Sequence, residues 1–435
     1  MKKTKKPDDS FLIPDGWQYI PFGDVFEFIQ SLSLSREQLT LDEGPMNIYN
    51  IHYGDIHATY KCEMLDFEIE KRIPKIKLGI PGPKEISFLK DGDLVIADAS
   101  EDYEGVAACI EVINLKDKKS TGGLHTFVAR DFKNLTVTGF RAYIFRHPIV
   151  RTELKKLATG SKVYGVSKAN ILKLKVLIPS KEDQKIIVQI LAAFNKAIEK
   201  QTELIAAKEE RKEALMQKLL SGNLRFKGFK AKWESKSLGD VCLKIQDGNY
   251  GGDYPTEGEF VEEGIAFLTS KALGGDGEVK KEKLNFITSS KHSQLKKGQI
   301  FKGDILFTNR GSNTGVIGYV DSWLDNSNIG PQLTFFRVNN DIISSKFLYH
   351  QLKSAAFQNQ IKSKDSGSAM TFFGIGETSK FIVTVPPRDE QDNIEVTLSA
   401  VELEINNLRK QLDDIRKQKV GVMEQLLTGK TRLKK

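Results

Sequence analysis

The chain contains a long internal repeat. Residues 179–226, which begin PSKEDQ and end KLLSGNLRF, align without a gap with residues 386–433, which begin PPRDEQ and end QLLTGKTRL. Three further pairs of segments match: 16–30 with 232–246, 92–109 with 303–320, and 159–171 with 366–378. The number of residues between matching positions differs from one pair to the next, so the segments between the matches differ in length while both ends of each half correspond. Each half is therefore predicted to be one unit, a globular domain of about 160 residues followed by a long helix.

The repeat also decides how the C-terminal glycine is interpreted. Gly429, Lys430 and Thr431 match the end of a phosphate-binding loop, which needs a further glycine where this chain has Glu424. In the repeat Gly429 aligns with Gly222, which no lysine follows. We therefore predict that both glycines end a helix in the left-handed conformation and that no nucleotide binds here.

Apolar residues recur every seven positions along both predicted long helices, in two interleaved series. We call these positions the seam; they are Leu191, Ile198, Ile205, Lys212 and Leu219 with Ile187, Phe194, Gln201, Lys208 and Leu215, and Leu398, Ile405, Leu412, Lys419 and Leu426 with Val401, Leu408, Ile415 and Val422. The seam predicts two rods of about 58 Å that pair as an antiparallel coiled coil, with a globular domain at each end. Packing of a helix flat on a sheet stays an alternative. Lys212 and Lys419 interrupt the seam at equivalent places, either to set its register or as solvated residues at a splayed end.

The globular halves show no regular alternation of strands and helices, which favours an α+β fold over a doubly wound sheet. Predicted strands are DLVIADA, DILFTNR, VIGYVDS and LTFFRV, and predicted helical segments are FRAYIFRHPIVRTELKKL and KFLYHQLKSAAFQNQI. The predicted fold is α+β, with two tandem globular domains separated by two long helices in an antiparallel coiled coil of pseudo-two-fold symmetry. The predicted boundaries are 11–178 and 227–385 for the domains, 179–226 for the first helix with its C-cap, and 386–435 for the second helix with its basic tail.

The net charge of +8 comes from 65 basic and 57 acidic residues. Basic residues clustered at the two termini account for this excess, so the interior is balanced and net charge alone does not establish DNA binding. The three cysteines, Cys62, Cys109 and Cys242, are too widely spaced to predict a disulfide framework or a zinc ribbon. No signal peptide or membrane-length apolar run is present, so a soluble cytoplasmic protein is expected.

Motifs for catalysis are missing from the sequence. His52 and His57 lack a third zinc ligand nearby, and neither a G-x-S-x-G motif nor a dinucleotide fingerprint occurs. An adenine methyltransferase would need an Asn/Asp-Pro-Pro-aromatic tetrapeptide, but Pro386-Pro387 follows valine and precedes arginine. We therefore expect a recognition and assembly protein and not an enzyme.

Polar, glycine-rich loops beside the predicted strands are candidates for DNA contacts, because arginine commonly reads guanine and asparagine adenine. Such loops are equally typical of ordinary turns. The candidate DNA-binding residues are Ser161, Lys162, Tyr164 and Lys168 in the first domain, and Asn309, Arg310, Ser312, Asn313, Lys362, Lys364 and Ser368 in the second.

The order of these elements resembles the specificity subunit of type I restriction-modification systems. The likeness runs from Trp17 to Leu433 and depends on the paired motifs VLIPSKEDQ with KLLSGNLRF and VTVPPRDEQ with QLLTGKTRL. The resemblance implies that each domain reads one half of a split site in double-stranded DNA. It implies that the helices set the gap and dock two methyltransferase subunits, and that a motor-nuclease subunit joins for cleavage. It also implies no catalytic residue or cofactor on this chain, with S-adenosylmethionine, ATP and Mg²⁺ used by partner subunits.

The first domain departs from the second in one loop. Its ADASEDYEG is acidic where the second domain has TNRGSNTG, which places Asp98 opposite Asn309. Either Asp98, Glu101 or Asp102 accepts a hydrogen bond from a cytosine amino group, or this loop faces away from DNA. Two other functions stay open at this point, a coiled-coil adaptor that binds proteins without DNA specificity, and a degenerate half of a fused restriction enzyme.

Overall fold

A computed structural model describes residues 13–42, 47–60, 62–77, 86–364 and 372–431. The chain divides into two compact units, one made of Met1–Lys200 with Leu412–Lys435 and the other of Gln201–Gln411. The two long helices are each continuous, so each of them contributes one part to each unit. Within the described part of the chain, no helix is long and apolar enough to cross a membrane.

The first unit is built on two mixed sheets. A five-stranded sheet has the order β2-β11-β7-β9-β5, a four-stranded sheet has the order β10-β4-β6-β3, and β1 pairs with β13 and β8 with β12. The strands are β1 (Gln18–Pro21), β2 (Phe26–Ile29), β3 (Leu39–Thr40), β4 (Ile48–Ile51), β5 (Met64–Asp66), β6 (Lys75–Ile76), β7 (Leu94–Ala97), β8 (Ala99–Ser100), β9 (Cys109–Ile113), β10 (Lys119–Gly122), β11 (Thr126–Asp131), β12 (Tyr164–Gly165) and β13 (Lys175–Ile178).

Strand β7 shows why the run DLVIADA folds as predicted. Successive side chains of a strand point to opposite faces of its sheet. Leu94 and Ile96 accordingly lie in one apolar core, and Val95 and Ala97 lie in another. The strand is buried on both faces, which accounts for a continuous apolar run instead of an alternating one.

The helices of the first half are α1 (Tyr53–Ala58), α2 (Arg141–Ile144), α3 (Pro148–Leu157), α4 (Lys168–Lys173) and the long α5 (Lys181–Leu220). The predicted helical segment FRAYIFRHPIVRTELKKL is split between α2 and α3. Proline cannot donate a backbone hydrogen bond within a helix but fits the first turn of a new one. Pro148 starts α3, and the His147 side chain caps that helix by accepting from the Ile149 N–H.

The second unit repeats this plan, with four strands in the sheet that corresponds to the five-stranded one and five strands in the other. One sheet has the order β15-β23-β20-β21, another has the order β16-β18-β17-β22-β19, and β14 pairs with β24. The strands are β14 (Glu234–Ser237), β15 (Cys242–Asp247), β16 (Phe260–Val261), β17 (Ile265–Leu268), β18 (Asn285–Ile287), β19 (Gln299–Ile300), β20 (Ile305–Thr308), β21 (Ile317–Tyr319), β22 (Ser327–Ile329), β23 (Leu333–Val338) and β24 (Ile382–Val385). The helices are α6 (Leu238–Val241), α7 (Ser289–Gln294), α8 (Ser345–Lys353), α9 (Ala355–Lys364), α10 (Ile375–Thr378) and the long α11 (Arg388–Leu427).

The glutamine of the helix leader explains the repeated E/D-Q motif. Gln184 is fully buried in the first turns of α5. Its Oε1 accepts from the Val137 N–H at 2.8 Å, and its Nε2 donates to the carbonyls of Leu135 and Pro179 at 3.0 and 2.8 Å. Gln391 of α11 makes the same bonds to Ser344, Ile342 and Pro386 at 2.7, 3.0 and 2.9 Å. Each long helix is thus fixed to the domain that precedes it.

The two long helices pair antiparallel along the predicted seam. Lys208 and Lys212 of α5 contact Glu404 and Glu402 of α11 at 2.6 and 3.1 Å, so residue numbers rise along one helix as they fall along the other. All seam positions are buried or half-buried. The antiparallel pairing of the two long helices, predicted from the sequence, is therefore confirmed. The two glycines at the helix ends also have the predicted left-handed backbone, with φ +74° at Gly222 and +67° at Gly429.

The two lysines of the seam are paired and not solvated. The side chain of Lys212 is only 14% exposed and contacts Glu402, while the side chain of Lys419 is 13% exposed and contacts both carboxylate oxygens of Glu63 at 2.9 Å. The interpretation as solvated lysines at a splayed end was therefore wrong. Their partners also differ in kind, because Glu402 lies on the opposite helix and Glu63 lies in the first globular domain.

A substitution of Glu402 tests how much the paired lysine in the seam contributes to stability. Its carboxylate lies between the ammonium groups of Lys212 and Lys353, at 3.1 and 3.8 Å. Burial favours the neutral acid, but the two lysines outweigh it and hold the pKa of Glu402 below its usual range. Glu402→Gln is expected to lower the free energy of unfolding by about 1–3 kcal/mol at neutral pH. Because the folded pKa is depressed, this difference should shrink as the pH falls below about 4.

Urea denaturation at neutral and acidic pH measures both effects. Glu404→Gln is the matched control, since Glu404 lies on the same helix and pairs with Lys208 but is 48% exposed. Exposed pairs of this kind contribute less than about 1 kcal/mol. Equal losses in the two variants would show that the partly buried network at Glu402 has no special role.

Candidate nucleic-acid interface

Loops of the second domain gather at one edge of its sheet. The register of β23 places Thr334 opposite Asp247 of β15 and Leu333 opposite Thr308 of β20. The ends of β15 and β20 and the start of β23 therefore meet at the same edge. The loop that follows β20 is the predicted TNRGSNTG segment, which we call the TNRGSNTG loop (residues 308–315).

The buried side chain of Asn309 fixes the TNRGSNTG loop to the strands beneath it. It is fully buried, and its amide Nδ2 donates to the Thr334 hydroxyl at 3.0 Å, to the Pro331 carbonyl at 3.2 Å and to the Asp247 carboxylate at 3.3 Å. Burial raises the pKa of Asp247, against the lowering effect of its bonds from Thr334 and Asn309. A side chain with no exposed surface cannot reach a base edge in this conformation. Asn309 therefore has a positioning role in this structure.

Arg310, the next residue, faces a different environment. Its guanidinium lies 5.3 Å from the ring centroid of Phe372, which is 51% exposed, and donates to the Pro331 carbonyl at 2.8 Å. A backbone bridge also joins Arg310 to Phe372. Stacking on an aromatic ring holds the planar fork of an arginine in one orientation, which suits bidentate recognition of guanine.

The other predicted residues of the second domain lie at varied exposures. Ser312 is exposed and Asn313 is half-buried in the TNRGSNTG loop. Lys362 and Lys364 lie in the last turn of α9 instead of a loop, both exposed, with Lys364 Nζ 4.5 Å from the Phe381 ring centroid. Ser368 lies outside the described residues.

Sequence reasoning missed an aromatic residue of this domain. Tyr250 lies in the loop that follows β15 and is 59% exposed, with Lys297 Nζ 5.4 Å from its ring centroid. An exposed aromatic ring beside a lysine can stack on a base or sugar and contact a phosphate. The signal was the short stretch DGNYGG, in which the glycines leave the tyrosine without bulky neighbours along the chain.

The first domain has an equivalent sheet edge, which is held by the same backbone hydrogen bonds. The Asp98 N–H donates to the His125 carbonyl at 3.1 Å, as the Asn309 N–H does to the Gln332 carbonyl at 3.0 Å. The Asp98 carbonyl accepts from Val166 at 3.0 Å, as that of Asn309 does from its counterpart Phe373 at 2.9 Å. The structure therefore confirms that Asp98 stands opposite Asn309.

The acidic loop of the first domain makes internal contacts. Asp98 Oδ1 lies 3.1 Å from His125 Nδ1, the Asp102 carboxylate accepts from the Gly105 N–H, and Glu104 pairs with Lys155. Asp98 and Asp102 thus already have partners within this domain. These contacts make both carboxylates part of the internal hydrogen bonding of the loop, and neither faces outward as a free acceptor.

The four predicted residues of the first domain lie in or near β12 and at the start of α4. Ser161 and Lys162 are exposed just before β12, which pairs with β8 of the acidic loop. Tyr164 of β12 packs edge-on against Tyr103, with ring centroids 4.6 Å apart. Lys168 is exposed, with its Nζ 5.2 Å from the ring centroid of Phe127.

Comparison with known proteins identifies this arrangement. A profile described as the type I restriction modification DNA specificity domain matches residues 14–208 and again 230–416. The chain belongs to this family. The double match reflects the internal repeat, and membership supports a role in DNA recognition and not that of an adaptor without DNA specificity.

Other members of the specificity-domain family match along nearly the whole chain. The type I restriction enzyme MjaVIII specificity subunit of Methanocaldococcus jannaschii is 24% identical over 439 residues, covering 97% of this chain and 94% of that protein. The S subunit of a type I restriction-modification system from M. genitalium has a similar fold, with a TM-score of 0.54, 16% identity and coverage of 97% and 98%. A chain from a structural study of assembly and conformational transition in the type I R-M system gives a TM-score of 0.59, 16% identity and coverage of 97% and 100%.

Proposed function

We propose that this chain is the DNA-recognition subunit of a type I restriction-modification complex, and that each globular domain reads one half of a bipartite site. The observation that carries this proposal is that the same backbone hydrogen bonds hold the equivalent sheet edges of both domains. We call this set of bonds the frame. The same backbone bonds hold Asp98 with His125 in one domain and Asn309 with Gln332 in the other. One frame with different side chains is what two readers of two different half-sites require.

The proposal gives the helix pair two roles. As an element shared by both units, it would set the number of unread base pairs between the half-sites. As an element whose two halves repeat one sequence, it offers equivalent surfaces to two copies of a methyltransferase subunit. A motor-nuclease subunit would join the assembly for cleavage.

Catalysis is assigned to the partners in this proposal. The chain itself would bind no cofactor, and S-adenosylmethionine, ATP and Mg²⁺ would be used on the partner subunits. Because the interior charge of the chain is balanced, much of the phosphate contact is also assigned to the partners, and the isolated chain should bind DNA weakly.

Methylation profiling with domain exchange tests the proposal. The gene would be expressed with its neighbouring methyltransferase gene, and the genomic methylation would be compared with that after replacing each globular domain by one from a relative. We expect adenine methylation at a split motif, with one half of the motif changing per exchange. An assembled complex that methylates no split motif would contradict the proposal.

A further inference from the structure

His125 combines a left-handed backbone with an exposed side chain. It lies between β10 and β11 with φ +53°, a left-handed conformation that is uncommon for residues other than glycine. Backbone strain of this kind is kept only where surrounding bonds enforce it. Here the His125 carbonyl accepts from Asp98, and the neighbouring Leu124 carbonyl accepts from the Tyr53 N–H at 3.2 Å. The side chain is nevertheless 52% exposed.

Neighbouring side chains fix the orientation of the imidazole. Asp98 Oδ1 lies 3.1 Å from Nδ1, and the Tyr53 ring packs edge-on with its centroid 5.2 Å from that of the imidazole. A carboxylate at one ring nitrogen holds the proton there and leaves the lone pair on the other. In neutral His125 the proton is therefore on Nδ1, and Nε2 is an acceptor. Within the described part of the chain, Nε2 makes no hydrogen bond.

The frame also relates His125 to a position in the second domain. Its counterpart Gln332 directly follows Pro331, whose carbonyl accepts from Arg310. His125 thus occupies, in the first domain, the part of the edge where the second domain holds its arginine. In the first domain the residue at the position of Arg310 is Ala99, which offers no polar side chain. The imidazole of His125 is an exposed polar group at this position of the edge.

We propose that His125 is a base-reading residue of the first domain, and that its Nε2 accepts a hydrogen bond from the exocyclic amino group of an adenine or a cytosine. These amino groups are the donors that bases present in the major groove. Asp98 is the positioning residue, since it selects the tautomer and does not touch DNA. The inference depends on the proposed function and adds to it the chemical class of one recognised base.

Two variants test the reader and its positioning residue separately. Glycine adopts φ +53° without strain, so His125→Gly removes the imidazole and keeps the backbone. It should relax selection at one base pair of the first half-site by about tenfold. Asp98→Asn is nearly isosteric, but its amide can donate to Nδ1, which moves the imidazole proton to Nε2. At that same base pair, preference should shift from adenine or cytosine toward guanine or thymine, which present the carbonyl acceptors O6 and O4 in place of the amino groups.

Methylation profiling at constant pH, with the methyltransferase partner present, measures both variants. The unaltered second half-site is an internal control. Phe132→Ser is the matched surface control, because Phe132 is 47% exposed at the opposite end of β11 and should leave the motif unchanged. An unaltered first half-site in both variants would overturn the role of His125. Should His125→Gly fail to fold, Asp98→Asn decides alone. A wild-type complex without any split motif would instead contradict the proposed function itself.

Discussion

Glu390→Ala is expected to lower the free energy of unfolding by about 3 kcal/mol, since removing one partner of a buried ion pair leaves the other without compensation. The Glu390 side chain has no exposed surface. Its carboxylate accepts from Arg225 Nε at 2.8 Å and Nη2 at 2.7 Å, and from Trp233 Nε1 at 3.0 Å. These residues join the start of α11 to the segment that follows α5 and to the start of the second domain.

The repeat supplies a matched control for this prediction. Asp183 occupies the position of Glu390 in the first helix and accepts from Trp17 Nε1 at 2.8 Å. Asp183→Ala should cost about 1.5 kcal/mol, the lower end of the range for a hydrogen bond to a charged group. Thermal and urea unfolding of both variants measure the difference. Equal losses would show that the bidentate arginine contributes nothing beyond the tryptophan bond.

The long-range organisation could be predicted from the sequence because it depends on repetition and period. The seam repeats every seven residues, and a helix converts that spacing into one apolar stripe whatever its surroundings. The buried strand β7 was also predictable, since its apolar run is too short for a typical helix and is bounded by Asp93 and Asp98. Gln184 and Gln391 were recognisable only as a motif, because their partners Leu135 and Ile342 lie far away in the chain.

The candidate site was less predictable because it depends on which neighbour reaches each polar side chain. Asn309 and Arg310 are adjacent and equally polar, yet one is fully buried and the other is stacked on Phe372. Lys419 occupies a seam position whose partner, Glu63, lies 356 residues away. His125 had no sequence signal at all, since its significance requires both a left-handed backbone and a facing carboxylate.

Inserting seven residues into each long helix is expected to lengthen the gap of the bipartite site. Seven residues preserve the seam, because the apolar stripe drifts by only about 20° per heptad. They add about 10.5 Å of helix, which corresponds to about three base pairs at 3.4 Å each. Insertions after Thr202 and after Arg409 lie opposite each other, since Gln201 donates to the Leu408 carbonyl at 3.1 Å and to Gln411 at 3.2 Å.

The same insertion tests whether the helix pair sets the gap or only connects the two domains. DNA turns by about a third of a turn over three base pairs, so methylation should slow even where the longer gap is selected. Seven residues inserted into α11 alone are the control, because they leave the seam of one helix without partners; this variant should lose stability and select no new gap. Methylation profiling reads out the gap directly. A double insertion that still methylates the original gap would mean that the length of the helix pair does not set it, and that the spacing is fixed by the partner subunits.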